Sequence, residues 1–102
     1  MSASKVVRED VAVLTDLPNV GKSLAGDLQL IGIDRPERLH GRDPYEMYEA
    51  LCAVTQQRHD PCVIDVFISV TRFMNGEPPV VWWHFTEERK KVLRSRSDRV
   101  GT

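Results

Sequence analysis

Between residues 17 and 22 the chain reads Leu-Pro-Asn-Val-Gly-Lys, and that order of residue types suits the holding of an anion. Pro18 and Gly21 break a helical pattern that resumes at Lys22. A helix starting there leaves its first N–H groups without intrahelical partners, beside the positive end of the helix dipole, where phosphate oxygens can accept from them. Lys22 adds a cation at the same spot. Gly21 takes up turn conformations freely, and Asn19 tolerates a left-handed one better than most residues. Ala25, one turn on, is small enough for close helix packing. Contacts of this kind hold a nucleic-acid backbone and read no bases.

Other residues suggest different chemistry. Cys52, His59, Cys62 and His84 raise a zinc site, although Cys-x6-His-x2-Cys with a distant histidine is not a standard ligand spacing. The plainer reading makes both cysteines small buried residues and both histidines neighbours of caps and turns. Cys62 also falls in a first helical turn, where the dipole lowers a thiol pKa, with His59 three residues upstream as a partner for a nucleophile. Against that, Val63, Ile64 and Val66 surround Cys62 with an interior. Asp60 and Asp65 could form an acid/base pair, but Asp60 reads as a cap and Asp65 as a solvated or ion-paired helix residue. Trp82 and Trp83 could stack on bases; a core place is expected for one ring, and the other stays open. The basic run from Arg89 to Arg99 reads as a solvated face and tail.

The elements that must position these residues are helical. Ser2 or Ser4 can cap a first helix to about Leu14, with Val6, Val7, Val11 and Leu14 as its apolar stripe. A second runs from about Lys22 to Ile31, and Gly32 follows as a left-handed stop. "DRP" opens a short turn of helix through Leu39. Asp43-Pro44 and Asp60-Pro61 each supply a cap and a proline suited to the first helical position. The helices they open run to about Gln56 and Asn75. The second of these is apolar nearly all round, which predicts a central, covered helix. "EPPV" is an extended connector and "VWWHF" a short strand-like or irregular segment. Thr86 caps a last helix whose acidic first turn and basic later turns suit the dipole, with a frayed tail from about Ser97 to residue 102. The expectation is an all-α single domain over residues 1–102, a compact bundle of five or six helices without a regular sheet.

The 102 residues, 41% apolar and 28% charged, fit one ordinary globular domain. A net charge of −1 gives no general attraction to polyanions, so nucleic-acid contact must come from a local arrangement. No apolar run suits a signal peptide or a membrane span. A cytoplasmic location without membrane partners is expected, with Cys52 and Cys62 kept as thiols.

Leu17, Pro18, Val20, Gly21, Lys22 and Ala25 resemble the helix-hairpin-helix motif, with the element at about residues 5–31. Asn19 departs, sitting where the motif's first glycine usually is and placing a side chain where backbone often approaches phosphate. The resemblance implies phosphate binding by Gly21, Lys22, Ser23 and Leu24, with Asn19 beside them. It also implies a candidate monovalent cation at the carbonyls of Thr15, Leu17 and Val20, and no other cofactor. "GIDRPERLHGRDPYEMYEAL" looks like the continuation found in tandem helix-hairpin-helix domains. "CAVTQQRHDP" has no glycine, so a second hairpin is absent or rebuilt.

More specifically, "LPNVG", "GRDPYEMY", "RHDPCVIDVF" and "WW" followed by "TEERK" resemble a small bacterial family of pathogenicity-locus or mitomycin-resistance proteins, over about residues 14–91. That resemblance implies a link to DNA damage. The expected function is non-sequence-specific DNA binding without catalysis, strengthened by a homodimer or by the basic last helix. The alternatives are a protein-interaction module using the hairpin as scaffold, and a small Cys/His metal or thiol enzyme.

Overall fold

A computed structural model describes residues 6–100, with side chains to Arg96. Among these residues there are four α-helices and no strand: α1 Lys22–Leu30, α2 Pro44–Thr55, α3 Cys62–Met74 and α4 Thr86–Val100. Short 3₁₀ turns cover Arg8–Asp10, Leu14–Asp16, Pro36–Leu39 and Trp82–Phe85. The all-α expectation holds. The expected five or six helices become four, because several short segments close as 3₁₀ turns instead.

The largest difference lies at the start. No α-helix precedes the hairpin among the described residues; two 3₁₀ turns stand there, and Ser2 and Ser4 lie outside the described residues. Valines at 6, 7, 11 and 13 lose side-chain freedom in a helix. Asp16 offers the backbone an alternative, its Oδ2 accepting from the Ala12 and Val13 N–H groups at 3.0 Å each. Of the expected apolar stripe, Leu14 is buried and Val6 and Val11 pack against the core, while Val7 is exposed. Arg8 instead fastens the segment to the C-terminal end of α3. Its Nε donates to the Phe73 carbonyl at 3.0 Å, its Nη2 to the Glu77 carbonyl at 2.6 Å, and its guanidinium lies 4.7 Å from the Phe73 ring centroid.

Much of the punctuation further along follows the sequence, but Thr86 is the first helical residue of α4 and its hydroxyl donates to Asp65 instead of capping the helix. Gly32 is left-handed at φ 86°, and Ile33 N–H closes on the Leu28 carbonyl at 2.9 Å. Asp43 caps α2, accepting from Tyr45 N–H at 2.8 Å and Glu46 N–H at 3.4 Å. Asp60 accepts from Cys62 N–H at 2.8 Å, as a capping carboxylate does, but α3 begins at Cys62 and Pro61 stands at its N-cap rather than at the first helical position. The α2–α3 connection turns at Gln56, left-handed at φ 55°, without a glycine. α4 continues to Val100, across Ser97, where fraying is expected to begin.

α3 is central, as its all-round apolar character predicts. It packs against α2, α4 and the turns Pro36–Leu39 and Trp82–Phe85. Phe67, Phe73, Ile64, Ile68 and Val70 are buried along it, beside Leu28, Ile33, Leu39, Met47 and Leu51 from neighbouring elements.

Asp65 lies in that same interior, 0% exposed. It is not solvated: Arg89 Nε donates to its Oδ1 at 2.9 Å, Arg89 Nη2 to its Oδ2 at 3.4 Å, and Thr86 Oγ1 to its Oδ2 at 2.7 Å. Arg89 is only 8% exposed, so the basic run is not wholly a solvated face. Hydrogen bonding to Asp65 raises the Arg89 pKa further, keeping the guanidinium charged. Removing one partner of such a pair strands a buried charge, at a cost of about 3–5 kcal/mol. Arg89→Leu should therefore lower unfolding free energy by about that amount in a urea titration. Lys90→Leu, an exposed neighbour on the same helix, should change it by less than about 0.5 kcal/mol.

Candidate phosphate-binding hairpin

The loop between the Leu14–Asp16 turn and α1 is short and well anchored. Leu14, Leu17 and Val20 point into the core, with Ala25 and Leu28 of α1 packed beside them. Val20 N–H closes on the Leu17 carbonyl at 3.3 Å. Asn19 takes the left-handed conformation, φ 68°, that a glycine would otherwise supply. Its side chain turns inward. Nδ2 donates to Ser69 Oγ of α3 at 3.1 Å and to the Val80 carbonyl at 2.9 Å. The amide expected to stand where phosphate approaches is thus occupied as a staple between the hairpin, α3 and the connector before the tryptophans. An asparagine in a glycine position was the signal for this, although the sequence does not name its partners.

Gly21 is the N-cap of α1, with φ −99° and ψ −172°. That is ordinary extended backbone, so the left-handed demand falls on Asn19 rather than Gly21. A Cβ built on Gly21 would meet nothing within 4 Å. Neither backbone strain nor internal packing calls for glycine there. Gly21, Lys22 and Ser23 are exposed and Leu24 is half-buried. No side chain caps α1; Ala25 N–H is the first to close, on the Gly21 carbonyl at 3.0 Å. Among the described residues no carboxylate lies on the leading N–H groups, and Gly21, Lys22 and Ser23 around them are exposed. Of the candidate cation ligands, the Leu17 carbonyl already accepts from Val20, and Thr15 is exposed.

The structure does not assemble the zinc set. Among the described residues, no three of His, Cys, Asp or Glu stand together as metal ligands. Cys52 is buried, with Arg58 Nη1 at 4.0 Å from its sulfur. His59 Nε2 lies 2.8 Å from Thr55 Oγ1, and the His59 carbonyl accepts from the Tyr48 hydroxyl. His84 is exposed and edge-on to Phe85. The backbone stretch 56–61 that joins α2 to α3 binds His59 to its own helix end, away from a common centre.

The electrostatics around Cys62 do not favour a reactive thiol. Cys62 does open α3, but hydrogen bonding to Asp60, burial and the Asp60 charge together raise its pKa, outweighing the Arg89 charge nearby. His59 is engaged by Thr55 instead. The aromatic pair also divides differently. Trp83 is exposed, Trp82 half-buried, and Phe85 is the buried aromatic of this turn.

Taken together, these features define a small all-helical domain that carries one exposed, uncapped helix start on a stapled hairpin. The chain belongs to the Pathogenicity locus family, whose pattern matches residues 7–91. It is similar to a mitomycin resistance protein, McrB, of Streptomyces lavendulae, 43% identical over 93 residues, which are 90% of this chain and 89% of that protein. No solved structure matches. No helix among the described residues is long and apolar enough to cross a membrane.

Two measurements check this geometry. Cys62 should react with a disulfide reagent at pH 7 no faster than free cysteine, accelerating only into the alkaline range. Asn19→Gly keeps the turn but loses two hydrogen bonds, and should cost about 1–3 kcal/mol in denaturant unfolding; Asn19→Ala should cost more, because it adds left-handed strain.

Proposed function

We propose that this protein binds DNA through backbone phosphate, without sequence preference and without catalysis, at the start of α1. The observation that carries the reading is the outward-facing, uncapped N-terminus formed by Gly21, Lys22, Ser23 and Leu24. Unpaired N–H groups at a dipole's positive end suit an anion, and Lys22 strengthens the field. The lack of a side chain at Gly21, which also suits its N-cap position, leaves the approach to these N–H groups open. The hairpin's inbound arm is a 3₁₀ turn rather than a helix, so the reading rests on the outgoing helix alone. The relative's name concerns resistance to mitomycin, a DNA-crosslinking drug, and a DNA ligand accords with that context. The protein would act as a cytoplasmic DNA-damage factor.

One such site neutralises about two or three phosphates, so binding should be weak and fall with salt, at a logarithmic slope of about −2 to −3 for duplex. A second copy of the protein would raise the apparent affinity by avidity. In a fluorescence-anisotropy titration of labelled DNA at two salt concentrations, Lys22→Glu should weaken binding by about tenfold or more while leaving thermal unfolding unchanged or slightly raised, since a carboxylate suits a helix N-terminus. Gly21→Ala should stay folded and unfold within a few degrees of the unsubstituted protein, the N-cap preference for glycine opposing the entropy gain of alanine, and yet bind less tightly. Binding that ignores salt and both substitutions would overturn the proposal and leave the hairpin as a scaffold for a protein partner.

A further inference from the structure

Tyr45, in the first turn of α2, is only 9% exposed, and its buried hydroxyl has no hydrogen-bond partner among the described residues. Tyr48, three residues on, shows the usual solution: its hydroxyl donates to the His59 carbonyl. A hydroxyl closed to water and bonded to nothing lowers stability, and a phenylalanine would escape that cost. Nothing in the fold itself rewards the Tyr45 oxygen.

That oxygen belongs to a pocket. Tyr45 lines an open cleft of about 430 Å³ between the start of α2, the later turns of α3 and the face of α4 that carries Glu88, Val92 and Arg96. The volume suits a small organic molecule, and Ile68 and Val92 supply apolar lining. Three guanidiniums, of Arg42, Arg72 and Arg96, share the cleft with three carboxylates, of Asp43, Glu77 and Glu88. The charges of Glu88, Arg96, Arg72 and Asp43 all act on the Tyr45 hydroxyl, which puts it among them. Burial first, then Glu88, raises its pKa, so it keeps its proton and can donate.

The charges in the cleft balance, but the hydrogen bonds do not. Asp43 Oδ1 is spent on the Tyr45 and Glu46 N–H groups at 2.8 Å and 3.4 Å, and Glu88 accepts from Arg72. Arg96 lies over the Tyr45 ring, 4.5 Å from its centroid, and stands 3.9 Å from Asp43, too far for a hydrogen bond. Arg42 enters no ion pair among the described residues. Glu77 is the one carboxylate of the set left without a partner there, and it is exposed. Against it stand two uncommitted guanidiniums, with several N–H donors each, and the Tyr45 O–H. The surplus is of donors.

We infer that this cleft binds a small organic molecule through an oxyanion, a carboxylate or a phosphate, held by Arg42, Arg96 and the Tyr45 hydroxyl. A planar guanidinium fork matches either group. Arg96 is exposed and loosely paired, so turning it off the Tyr45 ring opens the way to the hydroxyl. None of Gly21 to Leu24 lines the cleft, so this site is separate from the start of α1.

The test is an NMR titration of the full, nitrogen-labelled chain with phenyl phosphate, with benzoate and with neutral benzyl alcohol. Amide signals of residues 42–45 and of Arg72, Glu88 and Arg96 should move with phenyl phosphate, benzoate or both, and not with the alcohol. A response to one acid alone identifies the oxyanion. Arg42→Gln and Tyr45→Phe should each weaken binding about tenfold, as loss of a charge-assisted hydrogen bond does. Tyr45→Phe should unfold at an unchanged or higher temperature, and Lys22→Glu should leave binding in the cleft unchanged.

Signals that move only at residues 21–24 would leave the phosphate site on α1 standing and overturn this one. An equal response to benzyl alcohol, or no response to either acid, would also overturn it. So would a Tyr45→Phe variant that loses stability and binds as before, since the hydroxyl would then be structural. Movement of residues 42–45 with DNA and with neither small acid would give the cleft to nucleic acid and overturn the small-molecule assignment.

Discussion

A carboxylate without contact to water sits in the middle of this protein's interior. Asp65 lies on the helix that touches most of the others, and a charge there is tolerable only because Arg89 and Thr86 meet it from α4. That requirement fixes more than one pair. It sets how α4 lies against α3, and with it the placing of the Trp82–Phe85 turn that leads directly into α4. Hydrophobic burial alone would accept several rotations of a helix as polar as α4. A buried carboxylate held by three directional hydrogen bonds, two from Arg89 and one from Thr86, accepts essentially one.

Asn19 does for the hairpin what Asp65 does for the last helix. It gives the turn its left-handed residue and spends its amide on Ser69 and Val80. The loop is therefore anchored from within by a side chain that a glycine would not have. This frees the exposed face of the turn, Gly21 to Ser23, from any holding role. The structure separates the residue that builds the bend from the residues available to meet something outside.

Much of the helical layout was legible because its signals are local. Asp43-Pro44, Asp60-Pro61 and Gly32 act through bonds to residues within a turn or two, so sequence order is enough to read them. The centrality of α3 followed from its apolar residues on every side. The helix expected before the hairpin was misread because valine spacing mimics a helical stripe, while the competing hydrogen bonds from Asp16 and the long-range bonds from Arg8 carry no periodic signature. The Cys/His constellation failed for a related reason. Closeness in sequence did not become convergence in space, since His59 is turned toward Thr55 and Cys62 toward Asp60.

The amino-acid sequence by itself determined the helical class, the caps and stops, the central helix and the candidate anion-holding residues. All of these depend on local backbone chemistry and side-chain periodicity. Only the tertiary structure decided that Asp65 is buried with Arg89, that Asn19 faces inward, and that α1 begins uncapped and open to solvent. Those outcomes depend on which groups meet across dozens of intervening residues. Pairing of that kind is set by packing and charge compensation in the assembled core, which no short window of sequence contains.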